Sequence, residues 1–319
     1  MQIVRFACVT FVVGTWVLAA NAVLAQNYPS KPIRIFATEI GSASDLSARL
    51  IAKELQATLG QTIVVENRVL IGVELAAQAA ADGYTLLHYP NPLWILPLFR
   101  SNVAWDVDRD FTAIGMTVYS PNVLVVHPAL PVKTVKDLIA LAKARPGELN
   151  YGSSSTGAGN HVAAELFKSM AGVKILRIAY KGGSSSLNAL VAGEIQLSFP
   201  AAATAAGHVK AGKLRALAAT SLEPSALAPG LPTMAASGLP GYESISYTGL
   251  FAPARTSGAI VSRLNQEVTQ ALRVPAVKER LFNAGSEVLA SSPAEAAATI
   301  KVETERIRKL IGDAGLREH

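Results

Sequence analysis

The chain has little sulfur, few aromatic side chains and few charges. Its 319 residues include one cysteine, Cys8, and only 6% aromatic and 16% charged residues. A single cysteine excludes an intrachain disulfide framework and a cysteine-based metal site. The formal net charge is +6, but no block of five like charges occurs. The composition therefore argues against a nucleic-acid-binding surface or a basic tail.

Half of the residues are hydrophobic, yet only the N-terminus carries a long apolar run. That run, at residues 6–20, follows an arginine and precedes a small-residue stretch at residues 22–25. This order predicts a secretory signal peptide at residues 1–25. A membrane anchor is the alternative, but it needs about 20 predominantly apolar residues, and polar residues interrupt this run. We therefore expect a periplasmic protein that begins near Gln26 and has no stable membrane insertion after cleavage.

From Ile33 onward, short β-branched runs alternate with helical periodicity. The first unit predicts a strand at residues 33–36, a loop at residues 41–44 and a helix at residues 45–59, which ends at a glycine. This alternation predicts an α/β fold with mainly parallel sheets covered by helices on both faces. Because the chain exceeds the usual size of one compact core, we expect two lobes.

The order of elements places two crossings between these lobes. A Pro/Gly-rich connection at residues 224–241 interrupts the alternation, and the sequence after it is mostly helical. We place the crossings near residues 119–124 and 244–250. The predicted lobes are residues 26–122 together with residues 248–319, and residues 123–247.

The sequence lacks residues that the common catalytic and metal-binding motifs require. The serine-rich segment 152–157 lacks the G-x-S-x-G spacing of a nucleophile elbow. Val162 stands where a dinucleotide fingerprint starting at Gly157 requires its third glycine. The five histidines are far apart, and none forms an HExxH pair. We therefore predict no enzyme activity, no cofactor and no metal site.

Three small, hydroxyl-rich loops lie between predicted strands and helices, at residues 41–44, 153–160 and 182–186. Helix N-termini leave backbone N–H groups unpaired and carry partial positive charge, so such loops bind anions readily. Ordinary helix capping would explain any one loop. Three loops in two predicted lobes favour a cleft that is lined by hydrogen-bond donors.

Ordered matches along the chain also resemble a known family. They include YPSKPIR at residues 28–34, VENR at 65–68, DGYTL at 82–86, KARPG at 143–147, HVAAELF at 161–167, YKG at 180–182, KAGKLRAL at 210–217, GLPGY at 238–242 and GLFAP at 249–253. With these motifs the sequence resembles the Bug or TctC-type extracytoplasmic solute receptors of tripartite tricarboxylate transporters. The resemblance covers essentially the whole chain after residue 25.

This resemblance implies a two-lobed, type II Venus-flytrap binding protein that traps a small carboxylate-bearing solute. The implied partners are the large and small membrane subunits of a tripartite permease, and the receptor is expected to be a monomer. A ligand sensor or co-receptor of a signalling system with the same fold is the alternative. The candidate ligand-binding residues are Glu39, Gly41, Ser42, Ser44, Asp45, Ser153, Thr156, Gly157, His161, Lys181 and Gly182.

Two loops depart from the family pattern. The first reads ATEIGSASD at residues 37–45, where the family usually has a proline–phenylalanine segment before two glycines and an aspartate. The second reads VLIGVEL at residues 69–75 in place of a glycine-rich run, and Pro200 replaces a common acidic residue. Glu39 would oppose an incoming anion, so we expect a solute with an amine, amide or hydroxyl group near it rather than a simple dicarboxylate. A solvated glutamate without ligand contact is the alternative.

Overall fold

The computed structural model of the protein describes residues 28–154 and 156–314. The predicted signal peptide lies outside these residues. The strands are β1 (Ile33–Ala37), β2 (Ile63–Asn67), β3 (Thr85–Pro90), β4 (Phe111–Pro121), β5 (Val123–Val126), β6 (Asn150–Ser153), β7 (Leu176–Ala179), β8 (Leu197–Ser198), β9 (Arg215–Ala219), β10 (Ile245–Pro253) and β11 (Glu287–Val288). The helices are α1 (Ala43–Leu59), α2 (Val69–Ala77), α3 (Pro92–Phe99), α4 (Val107–Asp110), α5 (Val135–Ala144), α6 (Gly159–Ala171), α7 (Gly183–Val191), α8 (Ala202–Lys210), α9 (Gly258–Arg273), α10 (Pro275–Asn283) and α11 (Pro293–Ala314).

Two mixed sheets organise these elements. The first sheet has the order β11-β4-β10-β3-β1-β2, and the second has the order β7-β6-β8-β5-β9. β1 runs parallel to β2 and β3, and β6 runs parallel to β7 and β8, as the strand–helix alternation predicts. The strands next to the crossings, β10 and β5, pair antiparallel with their neighbours. Five of the nine strand pairings in the described residues are antiparallel, so the sheets are mixed rather than mainly parallel as the sequence predicts.

Local capping determines where several helices begin and end. The Ser42 side chain accepts a hydrogen bond from the Asp45 amide at the start of α1, and Gly60 ends this helix at φ 66°. Thr134 and Asp137 form a reciprocal capping box at the start of α5, which confirms the capping pattern that the sequence contains.

A continuous hydrophobic cluster connects the two sheets. It includes Phe36 and Trp94 on the side of the first sheet and Phe167 and Phe199 on the side of the second. α11 packs against α3, β4 and α6, and its Ile307 belongs to the same cluster. The C-terminal helix therefore contacts elements of both lobes, although its sequence position lies within the segment predicted for the first lobe.

The chain passes from the first sheet to the second and back again. β4 belongs to the first sheet and β5 to the second, with Asn122 between them. The chain returns between Ala219, the last residue of β9, and Ile245, the first residue of β10. Within the described ranges, no helix is both long and apolar enough to cross a membrane.

Candidate functional site

The loop that follows β1 is held in place by the Asp45 carboxylate. This carboxylate accepts hydrogen bonds from Gly41 N at 2.9 Å, Arg49 Nε at 2.9 Å and Asn67 Nδ2 at 2.8 Å. Burial alone would raise the pKa of Asp45, but these hydrogen bonds outweigh it and lower the pKa below its ordinary value. Asp45 therefore shapes the loop from inside, and Gly41 at φ 80° makes the turn that this arrangement requires.

Ser44 also directs its hydroxyl into the protein. Its Oγ lies 3.3 Å from Nδ1 of His88, whose Nε2 lies 3.0 Å from Thr117 Oγ1. Burial lowers the pKa of His88 to about 4, so this imidazole is neutral at physiological pH. Ser42 likewise contacts Thr38, with 2.8 Å between their hydroxyl oxygens. Ser42, Ser44 and Asp45 thus form the framework of the first loop.

The side chains of Glu39 and Ile40 in this loop are exposed. Glu39 makes no ion pair with any residue in the described part of the chain. Burial and, after it, the negative charge of Glu39 raise the pKa of Tyr89 at the end of β3. The carboxylate therefore acts electrostatically on the neighbouring strand end, at the carboxyl edge of the first sheet.

In the second lobe, Arg177 organises the loop that follows β6. Its guanidinium donates to Ser153 Oγ at 2.8 Å, Thr156 Oγ1 at 3.0 Å and the Ser154 carbonyl at 2.9 Å. Ser153 is fully buried. Arg177 is not among the site residues predicted from the sequence. The feature that could have revealed it is a charged residue within the otherwise apolar strand Leu176–Ala179. Arg177 orients the loop and adds positive charge beneath it.

His161 and Gly157 lie where this loop meets α3. Gly157 N donates to His161 Nδ1 at 3.2 Å, and the His161 ring lies 5.6 Å from the Phe99 ring. A Cβ atom on Gly157 would contact Ile95 and Phe99, and Gly157 has φ 79°. Both predicted residues therefore lie at the contact between the second-lobe loop and a helix that follows β3.

The N-terminus of α6 is the site's clearest hydrogen-bond-donating surface. The N-cap residue Ala158 provides no side-chain cap. A Cβ atom on Gly159 would lie 3.4 Å from Asn122 Nδ2 and would collide with Ser246 Oγ, so Asn122, between β4 and β5, and Ser246 of β10 both lie close to this helix end. Asn122 is only 4% exposed, and its Nδ2 has no hydrogen-bond partner among the residues that the structure describes.

Lys181 and Gly182 belong to the third predicted loop, after β7. Lys181 is exposed and forms no ion pair with another described residue. Gly182 is the N-cap of α7 and has no side-chain cap hydrogen bond. The described residues contain no group of histidine, cysteine, aspartate and glutamate side chains that could hold a metal ion.

Comparison with known proteins identifies the family. The model of the "Tripartite tricarboxylate transporter family receptor" (TctC) matches residues 47–316. The chain belongs to this family. Bordetella pertussis BugT is 32% identical over 96% of the chain and 97% of its own length. The Bug/TctC resemblance seen in the sequence is thereby confirmed.

Solved structures support the two-lobed α/β architecture. Rhodopseudomonas palustris Rpa4515, solved with adipate, has a TM-score of 0.79 and 33% identity and covers 90% of this TctC-family chain and 98% of its own. MatC from the same organism, solved with bound malate, has a TM-score of 0.76 and 26% identity over 89% of this chain and 100% of its own. The predicted fold class, a two-lobed periplasmic solute-binding protein, is confirmed.

Proposed function

We propose that this protein is a periplasmic receptor that captures a small carboxylate-bearing solute between its lobes. The captured solute would pass to the large and small membrane subunits of a tripartite permease. The family and its architecture support the binding role, and the carboxylates in Rpa4515 and MatC support the ligand class. No reaction is part of this proposal, because the loops present hydrogen-bond donors rather than a paired acid and base.

The observation that carries the proposal is the side-chain amide of Asn122, which has no hydrogen-bond partner among the described residues and lies beside the uncapped start of α6. A buried donor without a partner costs free energy, typically about 1–3 kcal/mol. A carboxylate at this position would accept from Asn122 Nδ2 and from the free N–H groups of the helix terminus. Arg177 beneath the adjacent loop adds a favourable charge. We assign the solute carboxylate to this position.

Substitution of Asn122 by aspartate tests the assignment. Asn122→Asp replaces the donor with an isosteric acceptor, so we expect at least a tenfold loss of affinity for carboxylates, equivalent to about 1.4 kcal/mol. Isothermal titration calorimetry measures the affinity. Asn188→Asp, an exposed position on α7, is the matched control and should bind like the wild type. Equal affinities for Asn122→Asp and the control would contradict the assignment.

Native mass spectrometry of freshly purified protein then identifies any retained solute directly. Uptake of that solute by cells that lack the receptor separates transport from signalling. Loss of uptake supports delivery to a permease. Unchanged uptake, with altered gene expression in response to the solute, supports the sensor alternative.

A further inference from the structure

Four apolar side chains are exposed at the carboxyl ends of β1 and β2. Their exposed fractions are 80% for Ile40, 36% for Val69, 42% for Leu70 and 59% for Ile71. We call these four residues the apolar wall. Singly exposed apolar residues are ordinary, but a run of three consecutive exposed apolar residues calls for a functional explanation. Segment 69–75 is helical and not the loop expected from the sequence, since it forms most of α2 (Val69–Ala77).

The apolar wall is continuous with the first loop of the candidate site. Ala37 and Asn67 are register partners at the ends of the parallel strands β1 and β2. Asn67 Nδ2 donates to the Thr38 carbonyl at 2.6 Å, and Arg68 N donates to the Ala37 carbonyl at 3.0 Å. These bonds hold the start of α2 against the loop that carries Ile40. In open α/β sheets, ligands bind at this strand edge.

The backbone at Val69 gives a second indication that this segment has a specific role. Val69 has φ 41°, a left-handed conformation that is unfavourable for a β-branched residue. The preceding N-cap residue, Arg68, makes no side-chain cap hydrogen bond. The chain thus adopts a costly conformation where it presents three apolar side chains.

The charges around the apolar wall do not favour a second carboxylate. The guanidinium groups of Arg34 and Arg68 both contact Glu66, at 2.9 and 3.2 Å. Arg49 contacts Asp45 and Asn67 instead. Glu39, next to Ile40, is exposed and has no ion pair among the described residues. The nearby arginines are therefore engaged, and the remaining charge is negative.

We propose that the apolar wall binds the hydrocarbon body of the solute and makes this receptor selective for monocarboxylates with an aliphatic or aromatic body. The inference rests on the proposed function, because the solute's single carboxylate occupies the position between Asn122 and the start of α6. Its hydrocarbon part then covers Ile40, Leu70 and Ile71, and no second carboxylate meets Glu39.

A chain-length series tests this selectivity. Titration calorimetry with butyrate, hexanoate and octanoate should show affinity rising about fourfold for each added CH2 group, as burial of that group implies. Hexanoate should bind at least tenfold more tightly than adipate, which has the same number of carbons and a second carboxylate. In Ile71→Ser, the gain per CH2 should fall to less than half, while butyrate affinity stays within twofold. Val302→Ser, an exposed position on α11, is the matched control and should keep the wild-type slope.

Each outcome has one meaning. Adipate or malate binding as tightly as hexanoate would overturn the selectivity but leave the proposed function intact. An unchanged chain-length slope in Ile71→Ser would show that the apolar wall lies outside the solute site. Failure of every carboxylate to bind the wild-type protein would overturn both this inference and the proposed function.

Discussion

Glu39 is exposed beside Ile40, and its negative charge reaches the Tyr89 phenol. A second carboxylate on the solute would lie near Glu39 if the first occupied the Asn122 position. Two negative charges held close together repel, although water around an exposed side chain reduces the repulsion. We therefore expect Glu39 to select against dicarboxylates without being essential for capture.

Replacement of Glu39 by glutamine tests this selection. Glu39→Gln should raise the affinity for adipate by up to about tenfold, because it removes the repulsion at nearly constant shape. Hexanoate affinity should change by less than twofold. Calorimetric titration of both ligands provides the comparison, with Glu148→Gln, an exposed position in the second lobe, as the control. Identical adipate affinities for the two variants would identify Glu39 as a solvated surface residue.

Candidate site residues could be placed in strand-end loops from the sequence, but the directions of their side chains could not be predicted. The predicted strand ends and helix starts indicate the loops at residues 41–44 and 153–160. The partners of Ser44, Asp45 and Ser153 are His88, Asn67 and Arg177, which lie 44, 22 and 24 positions away in sequence. Spacing patterns detect neighbours on one element, whereas these contacts arise when different strands meet at one sheet edge.

At the scale of elements, amphipathic helices were predictable and uniformly apolar ones were not. α1 alternates buried and exposed residues, and its predicted end at Gly60 is confirmed. In contrast, the sequence predicts a loop where α2 forms, and it predicts no element for the segment that forms α3. Residues 92–99 read PLWILPLF, so this helix lacks the polar face that gives a period of 3.6 residues. Tertiary burial of Trp94 and Phe99, rather than periodicity, stabilises α3.

The contact between α3 and α11 contains a buried carboxyl group. Trp94 Nε1 donates to Glu303 Oε2 at 3.0 Å. Burial raises the pKa of Glu303 to about 8, and the Arg306 charge and the Trp94 hydrogen bond oppose this rise only in part. Because the folded protein holds this proton more tightly than the unfolded chain does, folding stability falls as pH rises from about 4.5 to about 8.

Glu303→Gln should flatten this dependence. Wild-type stability should decline by up to about 1.4 kcal/mol per pH unit between pH 6.5 and 8 because of this group. The lowered pKa of His88 acts in the opposite direction, but only below pH 6.5. Urea unfolding at several pH values measures the slopes, and Glu305→Gln, an exposed neighbour on α11, should retain the wild-type slope. A parallel decline in Glu303→Gln would contradict the role of Glu303.

At the scale of the whole molecule, contacts between the lobes lie close to both crossings. Ser225 Oγ, in the connection after β9, donates to Glu287 Oε1 at 2.6 Å, and within the first lobe Tyr119 OH donates to Glu287 Oε2 at 2.9 Å. Gly285 approaches Ala203 so closely that no Cβ atom would fit between them. The lobe boundaries proposed from the sequence, with the crossings at residues 119–124 and 244–250, place the axis of any domain motion beside these contacts.

Solute binding should close the two lobes about those crossings, because the carboxylate position adjoins the second-lobe helix α6 and the apolar wall lies in the first lobe. A ligand that contacts both lobes binds most tightly to the conformation in which the lobes are nearest. Binding therefore raises the fraction of molecules in that closed conformation. Small-angle X-ray scattering should therefore show a smaller radius of gyration at saturation with hexanoate. Asn122→Asp, measured at the same hexanoate concentration, should remain as extended as the ligand-free protein. An unchanged radius of gyration in the saturated wild type would show that this receptor binds its solute without domain closure.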